Sequence, residues 1–552
     1  MQNINLNYVY EYFDDEGKLT GYKLKYPDNF NFAYDCVDVI ANTEPDRVAL
    51  IWCNPKGEEH RFTYGELKYY SDKTANMLRS KGINKGDMVM VILKRHYQFW
   101  FIILALHKLG AVIIPATFLL TAHDIVYRAN AAGVKAVICT GEGDVARHID
   151  EALPECPDIE IKMMVNGKRD GWDNFMTAME AADNTFERVV TKIDEPMILY
   201  FSSGTTGNPK MALHNYAYAL GHLTTGKYWQ NVGPESLHFT IADTGWGKAV
   251  WGKLYGQMLM EGSVFTYDMD KFVPAEILSL IQKYRITSLC CPPTMFRFLL
   301  QEDVKAYDLS SLQYCTIAGE ALSPDVFNKW DDLTGVKLME GFGQTETTIM
   351  IANIIGSRPK PGSMGKPMPH YDIDIVDEDG KSVSPGVTGE IVIRTDKHIP
   401  EGLFMSYYRD ENRTNEAWHD DIYHTGDTAW KDEDGYFWYV GRTDDVIKSS
   451  GYRIGPFEIE SVLAEHPAVI ECAVTAVPDE LRGNLVKATI VLKANVEPTD
   501  ALKKELQNYV KRVTAPYKYP RIIEFVEALP KTVNGKIRRV AIRENDTVSA
   551  AE

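Results

Sequence analysis

The chain has 552 residues, a formal net charge of -18 and 45% hydrophobic residues. A globular composition at this length exceeds one ordinary core, so two or three subdomains are expected. The acidic balance argues against general nucleic-acid binding, which needs a basic field, so any anionic ligand must be met by locally placed cations.

The first thirty residues include Glu11, Asp14, Asp15 and Glu16, with no cationic stretch before an apolar one, so no signal or transit peptide is visible. From Val48 to about Thr140 apolar extended runs alternate with helical patterns. Glu66 to Ser80 sets Leu67, Tyr70, Thr74, Met77 and Leu78 on one helical face, Gly82 stops it, and Met88 to Leu93 reads as a buried strand. Phe99 to Leu109, Gly110 to Pro115, Ala122 to Ala132 and Val134 to Cys139 repeat the alternation, which favours a mainly parallel sheet covered on both faces. The apolar run Phe99 to Leu106 is stopped by His107 and Lys108, far below the ~20 residues of a bilayer span, so no transmembrane segment is expected. The loops around Pro154 and the acidic helix around Trp172 to Ala182 read as a connection to the next subdomain.

An apolar strand, Met197 to Leu199, then runs into Tyr200 to Lys210, YFSSGTTGNPK. Gly204 and Gly207 let backbone approach an anion without Cβ interference. The hydroxyls of Ser202, Ser203, Thr205 and Thr206 can donate, and Lys210 adds charge. A solvated linker has the same composition, so the string alone does not decide. It is not a P-loop, because Asn208 and Pro209 separate Gly207 from Lys210 and Met211 follows where a hydroxyl is required.

Further on, Thr240 to Gly247 (TIADTGWG) places Trp246 among glycines, where an indole can wall a pocket or simply fill a core. Ile286 to Pro293 and Tyr314 to Glu320 read as strand-to-loop units, the second ending in Gly319, Glu320 and Ala321. Lys337 to Thr347 (KLMEGFGQTET) offers a strand end, glycines and Glu346, and a carboxylate beside phosphate oxygens suits a hard cation such as Mg²⁺. From Tyr371 the strands shorten, with hairpins at Asp379-Gly380 and Asp434-Gly435. Asp427, in Thr425-Gly426-Asp427, could accept from a ribose diol or serve as an ordinary turn aspartate. The last hundred residues carry their own pattern: helix Pro456 to Glu465, strands Glu471 to Val477 and Val486 to Lys493, and helix Thr499 to Val513. Between Lys503 and Arg543 stand eleven Lys or Arg against three Glu, a basic tail on an acidic protein, as a polyphosphate partner would require. Eight cysteines, Cys36, Cys53, Cys139, Cys156, Cys290, Cys291, Cys315 and Cys472, show neither CxxC nor metal spacing and read as reduced, buried apolar residues. The expected compartment is the cytoplasm, with an organelle matrix left open.

SSGTTGNPK, AGEAL, EGFGQTET, YHTGDTAW, GRTDDVIKSSGYRIGPFEIE and PKTVNGKIRR together resemble, in order and separation, the adenylate-forming superfamily over Val48 to Arg539. ADTGW, SGYRIGP and TAPYKYPR make the chain most similar to medium-chain acyl-CoA synthetases, close to acetyl-CoA synthetases. The resemblance implies an α/β fold. A large N-terminal adenylation domain (1–441) would combine two mainly parallel α/β subdomains with a small β-rich one, followed by a hinge (442–446) and a separate small α+β C-terminal lid and CoA-binding domain (447–552).

It also implies roles. Ser202 to Lys210, including Ser203, Gly204, Thr205, Thr206, Gly207, Asn208 and Pro209, would wrap the β- and γ-phosphates of ATP. Gly319, Glu320 and Ala321, with Glu340, Gly341, Phe342, Gly343, Gln344 and Thr345, would line adenine and the α-phosphate, and Glu346 would hold Mg²⁺. Asp427 and Arg442 would bind the ribose, Asp444 would be the hinge residue, and Lys536 the catalytic lysine. Ser450, Gly451 and Tyr452 would line the pantetheine tunnel, while Arg453, Arg482, Lys511, Tyr519, Pro520 and Arg521 would meet the CoA nucleotide. The implied reaction joins a carboxylic acid, ATP and CoA through an acyl-adenylate. Gly343 stands where acetate-specific relatives carry a pocket-shortening tryptophan, so a medium-chain, branched or aromatic acid is expected, with Trp246 as a wall. An acetate or propionate enzyme, and an adenylate-binding module without turnover, remain the alternatives. Assembly with further copies of the chain also stays open.

Overall fold

The structure is a computed structural model that describes residues 4–17, 19–202, 208–320, 322–449, 452–479, 482–531 and 537–549. Its helices begin and end where side chains satisfy the free backbone groups. Thr63 caps the helix Tyr64–Ser80, accepting from Glu66 N at 3.1 Å while the Glu66 carboxylate accepts from Thr63 N at 2.9 Å. Gly110, at φ +76°, closes the helix Gln98–Leu109 in the left-handed conformation that a side chain would oppose. That helix contains the apolar run too short for a bilayer, and all of its residues are buried: it is a core helix packed on Tyr64–Ser80. Among the described residues no helix is long and apolar enough to cross a membrane.

Two sheets form the large domain. The 8-stranded sheet runs Ser406–Tyr407, Lys210–Asn215, Pro196–Ser202, Val112–Pro115, Met88–Ile92, Val134–Cys139, Ile161–Met164, Asp173–Asn174. It is parallel from Pro196–Ser202 onward and antiparallel at the other edge. The 9-stranded sheet runs Lys366–Pro367, Ile349–Ala352, Leu338–Gly343, Tyr314–Ile317, Ser288–Cys290, Leu237–Thr240, Ser263–Tyr267, Val48–Cys53, Glu59–Thr63. Its interior is parallel and its edges antiparallel. A continuous parallel sheet buried on both faces explains the fully buried Met88–Ile92 and Val112–Pro115 strands.

Two sequence expectations about organisation change. The stretch 172–182 does not lead into a new subdomain: Asp173–Asn174 is the edge strand of the first sheet, and Pro196–Ser202 then returns to its middle, so the phosphate-loop strand belongs to the same sheet as Met88–Ile92. Conversely Val48–Cys53, read as part of the first unit, pairs with Ser263–Tyr267 in the second.

The third unit is antiparallel, with Ile373–Val376, Gly389–Arg394, Ile422–Lys431 and Trp418–His419 in order and Phe437–Arg442 beside Ile422–Lys431. Gly380 and Gly435, at φ +75° and +80°, make the turns expected at the two Asp-Gly pairs. Beyond it, the hairpin Ile447–Ser449 and Tyr452–Ile454 precedes a three-stranded sheet, Val469–Asp479, Gly483–Leu492 and Ile522–Phe525, with helices Pro456–Ala464, Asp500–Val513 and Arg539–Ser549. These strands and helices enclose a core of their own, including Ile459, Leu463, Val474, Ile490, Leu506 and Val510. All eight cysteines are buried and unpaired.

Candidate active site

In open α/β sheets, ligands gather beyond the carboxyl ends of parallel strands. Here those ends belong to Pro196–Ser202 in one sheet and to Tyr314–Ile317 and Leu338–Gly343 in the other. Ser202 pairs in register with Lys210 across the antiparallel hairpin that carries the Ser/Gly/Thr loop, so the loop is bracketed by an acceptor-donor hydroxyl and a cation. Residues Ser203 to Gly207, Ala321, Ser450, Gly451 and Lys536 lie outside the described residues. Pro209 is anchored by Tyr127, whose hydroxyl donates to its carbonyl at 3.1 Å.

Lys210 reaches toward Tyr407, with Nζ 3.5 Å from the hydroxyl and 5.1 Å from the ring centre. Burial lowers its pKa, while the Glu346 carboxylate acts in the opposite direction. Tyr407 in turn donates to Glu346 Oε1 at 2.8 Å. Glu346 follows the strand Leu338–Gly343, whose end is fixed by a second set of bonds. Thr345 O accepts from His214 Nε2 at 2.8 Å, which sets that tautomer, and burial drives the His214 pKa down to about 3, so the ring is neutral.

Gln344 crosses to the β-rich unit. Its amide nitrogen donates to Thr425 O at 2.7 Å and Asp427 Oδ2 at 2.5 Å, and its oxygen accepts from Tyr423 at 2.9 Å. Asp427 also accepts from Tyr439 at 3.0 Å and from Arg442 Nη1 at 3.1 Å. Burial alone would lower the Arg442 pKa, but Asp427, with Tyr439, Asp444 and Glu346, more than reverses this. A carboxylate so surrounded by donors keeps a fixed orientation, which is what a diol acceptor needs. Asp444 is half-exposed and sits 3.9 Å from Arg442 Nε.

The adenine-side candidates separate. Gly319, at φ +101°, leaves the strand end open. Glu320 is exposed and accepts from Thr294 at 2.6 Å. Glu340 is buried, with Leu322 N donating to one oxygen at 3.4 Å and the other oxygen without a partner among the described residues. Burial pushes its pKa up to about 8. Phe342 lies 6.0 Å from Tyr439, centre to centre.

Neither Gly341 nor Gly343 has room for a side chain, and a tryptophan lies close to each. A Cβ on Gly341 would fall 2.6 Å from Trp229 Cε2, and one on Gly343 would fall 2.8 Å from Trp251 Cη2 and 2.5 Å from Thr348 O. Trp246 is half-buried and precedes the helix Gly247–Lys253, on which Trp251 sits. Trp251 donates to Tyr218 Oη at 2.8 Å, so its indole is held. The sequence reading missed Trp251, Tyr407, Tyr423 and Tyr439. Of these, Tyr423 opens the quoted run YHTGDTAW and Trp251 stands five residues after Trp246.

In the C-terminal unit, Tyr519 is flanked by two cations, Lys511 Nζ 3.9 Å over its ring and Arg521 donating to its hydroxyl at 2.7 Å. Pro520 O accepts from Gln507 at 3.0 Å. Tyr452 stacks on Tyr517 at 4.0 Å. Arg482 is placed at the turn between the long strands, its backbone N–H donating to Asp479 at 2.8 Å. Arg453 lies on the strand Tyr452–Ile454.

Comparison with known proteins agrees with this arrangement. Residues 37–408 match the AMP-binding enzyme family and residues 458–536 the AMP-binding enzyme C-terminal domain. The chain is 43% identical over 530 residues to "Acyl-coenzyme A synthetase ACSM4, mitochondrial" of Homo sapiens, covering 94% of this chain and 91% of that protein. Among solved structures it resembles the anthranilate CoA ligase AuaEII in complex with anthranoyl-AMP, with a TM-score of 0.86, 29% identity, and coverage of 96% and 99% of the two chains. It also resembles a benzoate CoA ligase from Burkholderia xenovorans LB400, with a TM-score of 0.81, 26% identity, and coverage of 93% and 100%. The chain thus belongs to the AMP-binding enzymes and is an AMP-forming acid-thiol ligase of the acyl-CoA synthetase type.

Proposed function

We propose that this chain activates a medium-chain, branched or aromatic carboxylic acid, and that the cluster Lys210, Glu346, Gln344, Asp427 and Arg442 is where it meets ATP. The convergence of these five groups, drawn from both sheets and the β-rich unit, is the observation that carries the reading. In the first step the substrate carboxylate attacks the α-phosphorus and pyrophosphate leaves. Two anions must meet, so the barrier is chiefly electrostatic and positional. Ser202 to Lys210 would hold the β- and γ-phosphates, Lys536 would neutralise the reacting centre, and Gly319 to Ala321 with Glu340 to Thr345 would line adenine and the α-phosphate. Asp427 would accept from the ribose diol, with Arg442, Tyr439 and Gln344 holding its orientation.

Mg²⁺ fits the donor set at Glu346. The described residues contain no group of three His, Cys, Asp or Glu able to cage a metal, so a single carboxylate would share the ion with phosphate oxygens, the usual manner for this ion. When bound, the ion would neutralise phosphate charge. In the second step the CoA thiol attacks the adenylate carbonyl and AMP leaves. Ser450, Gly451, Tyr452, Arg453, Arg482, Lys511 and Tyr519 to Arg521 would receive CoA. The exchange would be made by a swing of residues 447–552 about 442–446.

The acyl end has a specific feature. Removing an indole at 343 suggests a long pocket, but Trp251 presents its own indole to the same place. We infer a pocket shortened from the side, with Trp251 facing Gly343 and Trp246 at the start of the same helix. This favours flat or branched acids of modest length, and gives the propionate-type alternative its one structural support. Two of the structural relatives are named for aromatic acids, anthranilate and benzoate, which supports the flat-acid reading. The test is acid-dependent AMP release across straight, branched and aromatic acids, with and without CoA. Absence of pyrophosphate exchange with every acid would favour a module without turnover.

A further inference from the structure

Glu346 and Lys210 carry opposite charges on two different elements, and one side chain stands between them. Tyr407 lies on the short edge strand Ser406–Tyr407, paired in antiparallel register with Ala212 on the strand that Lys210 begins. The stretch around it laces that strand to the Glu346 turn. Met405 N donates to Leu213 O at 2.7 Å, Tyr408 N to Met211 O at 2.8 Å, and Phe404 N to Glu346 O at 2.8 Å. Both the backbone and the carboxylate of Glu346 are therefore held from one five-residue segment. The Glu346 carboxylate is also the largest charge acting to keep Lys210 protonated. Yet no salt bridge joins the two among the described residues; instead the Tyr407 hydroxyl touches both, donating to Glu346 Oε1 at 2.8 Å and standing 3.5 Å from Lys210 Nζ. Buried opposite charges left free to pair would satisfy each other and offer little to a ligand.

Resting on the assignment of Glu346 to a divalent cation, we propose that Tyr407 is a positioning residue. Its hydroxyl aims the Glu346 carboxylate, and its ring keeps Lys210 from neutralising it. No role for this residue was visible in its sequence surroundings, MSYYRDEN.

The probe is Mn²⁺, titrated into the full chain in the presence of α,β-methylene ATP, with free ion read by electron paramagnetic resonance. Y407F loses the hydroxyl and keeps the ring, so Mn²⁺ binding should weaken about tenfold, ~1.4 kcal/mol. Y407A loses both and should weaken it on the order of a hundredfold. The thermal midpoint of Y407F and its KM for the acid should stay near wild type, whereas a purely structural tyrosine would move the midpoint and leave the metal alone. E346Q separates the two layers. If E346Q binds Mn²⁺ as wild type does, the metal assignment falls and the proposal with it. If E346Q is weakened while Y407F and Y407A bind normally, the proposal alone is overturned.

Discussion

Trp251 is the side chain that would set acid length, a property that the motif leaves open. Its indole stands where a side chain on Gly343 would project, so Trp251→Ala should extend the accepted acid by several carbons and raise kcat/KM for longer chains relative to short ones. A panel of straight-chain acids measures this, and an unchanged length profile would remove Trp251 from the acyl wall. Glu340 makes a different prediction. Its folded pKa, about 8, lies above the carboxylate value of 4.5. In that window the native state holds a proton the unfolded state has lost, so this group makes stability fall as pH rises from 4.5 to 8. Glu340→Gln keeps the shape without the titration. Its unfolding free energy should gain on wild type as pH goes from 5 to 8, by on the order of a few kcal/mol at most. A constant difference between the two proteins across that range would mean that burial does not hold this carboxyl neutral.

At the scale of elements, chemistry is divided between segments that the chain order keeps far apart. If Lys536 serves only the first half-reaction, Lys536→Ala should depress acid-dependent pyrophosphate exchange by on the order of a hundredfold or more. Transfer of a supplied acyl-adenylate to CoA should then be nearly intact; equal damage to both steps would contradict the role. The pair of cations on Tyr519 would serve the other half. Lys511→Ala should raise the KM for CoA roughly tenfold, the loss of one charge-assisted contact, and spare pyrophosphate exchange. The helix Asp500–Val513 buries Leu502, Leu506 and Val510 on its other face, so the folded unit should survive the change. A loss of exchange alongside the KM effect would place Lys511 in the first step or in the fold.

For the whole molecule, a hinge at 442–446 would make two half-reactions in one pocket a matter of rotation. Asp444→Pro fixes one backbone angle at that point. The variant should retain one half-reaction and lose the other, measured as pyrophosphate exchange against thioester formation from supplied adenylate; retention of both would refute the hinge. Much of the molecule was legible in the sequence because local physics dictates it. The glycine stops and the Asp-Gly turns depend on neighbours within a few residues, and so do the buried apolar strands. Family membership was legible for the same reason, since each motif is a short run whose chemistry is complete in itself. Only the tertiary structure decided that Val48–Cys53 joins the second sheet and Pro196–Ser202 the first, because strand partners are chosen by packing across hundreds of residues. It alone set Trp251 against Gly343 and Tyr407 between Lys210 and Glu346, since contacts between distant elements leave no period or spacing in the chain.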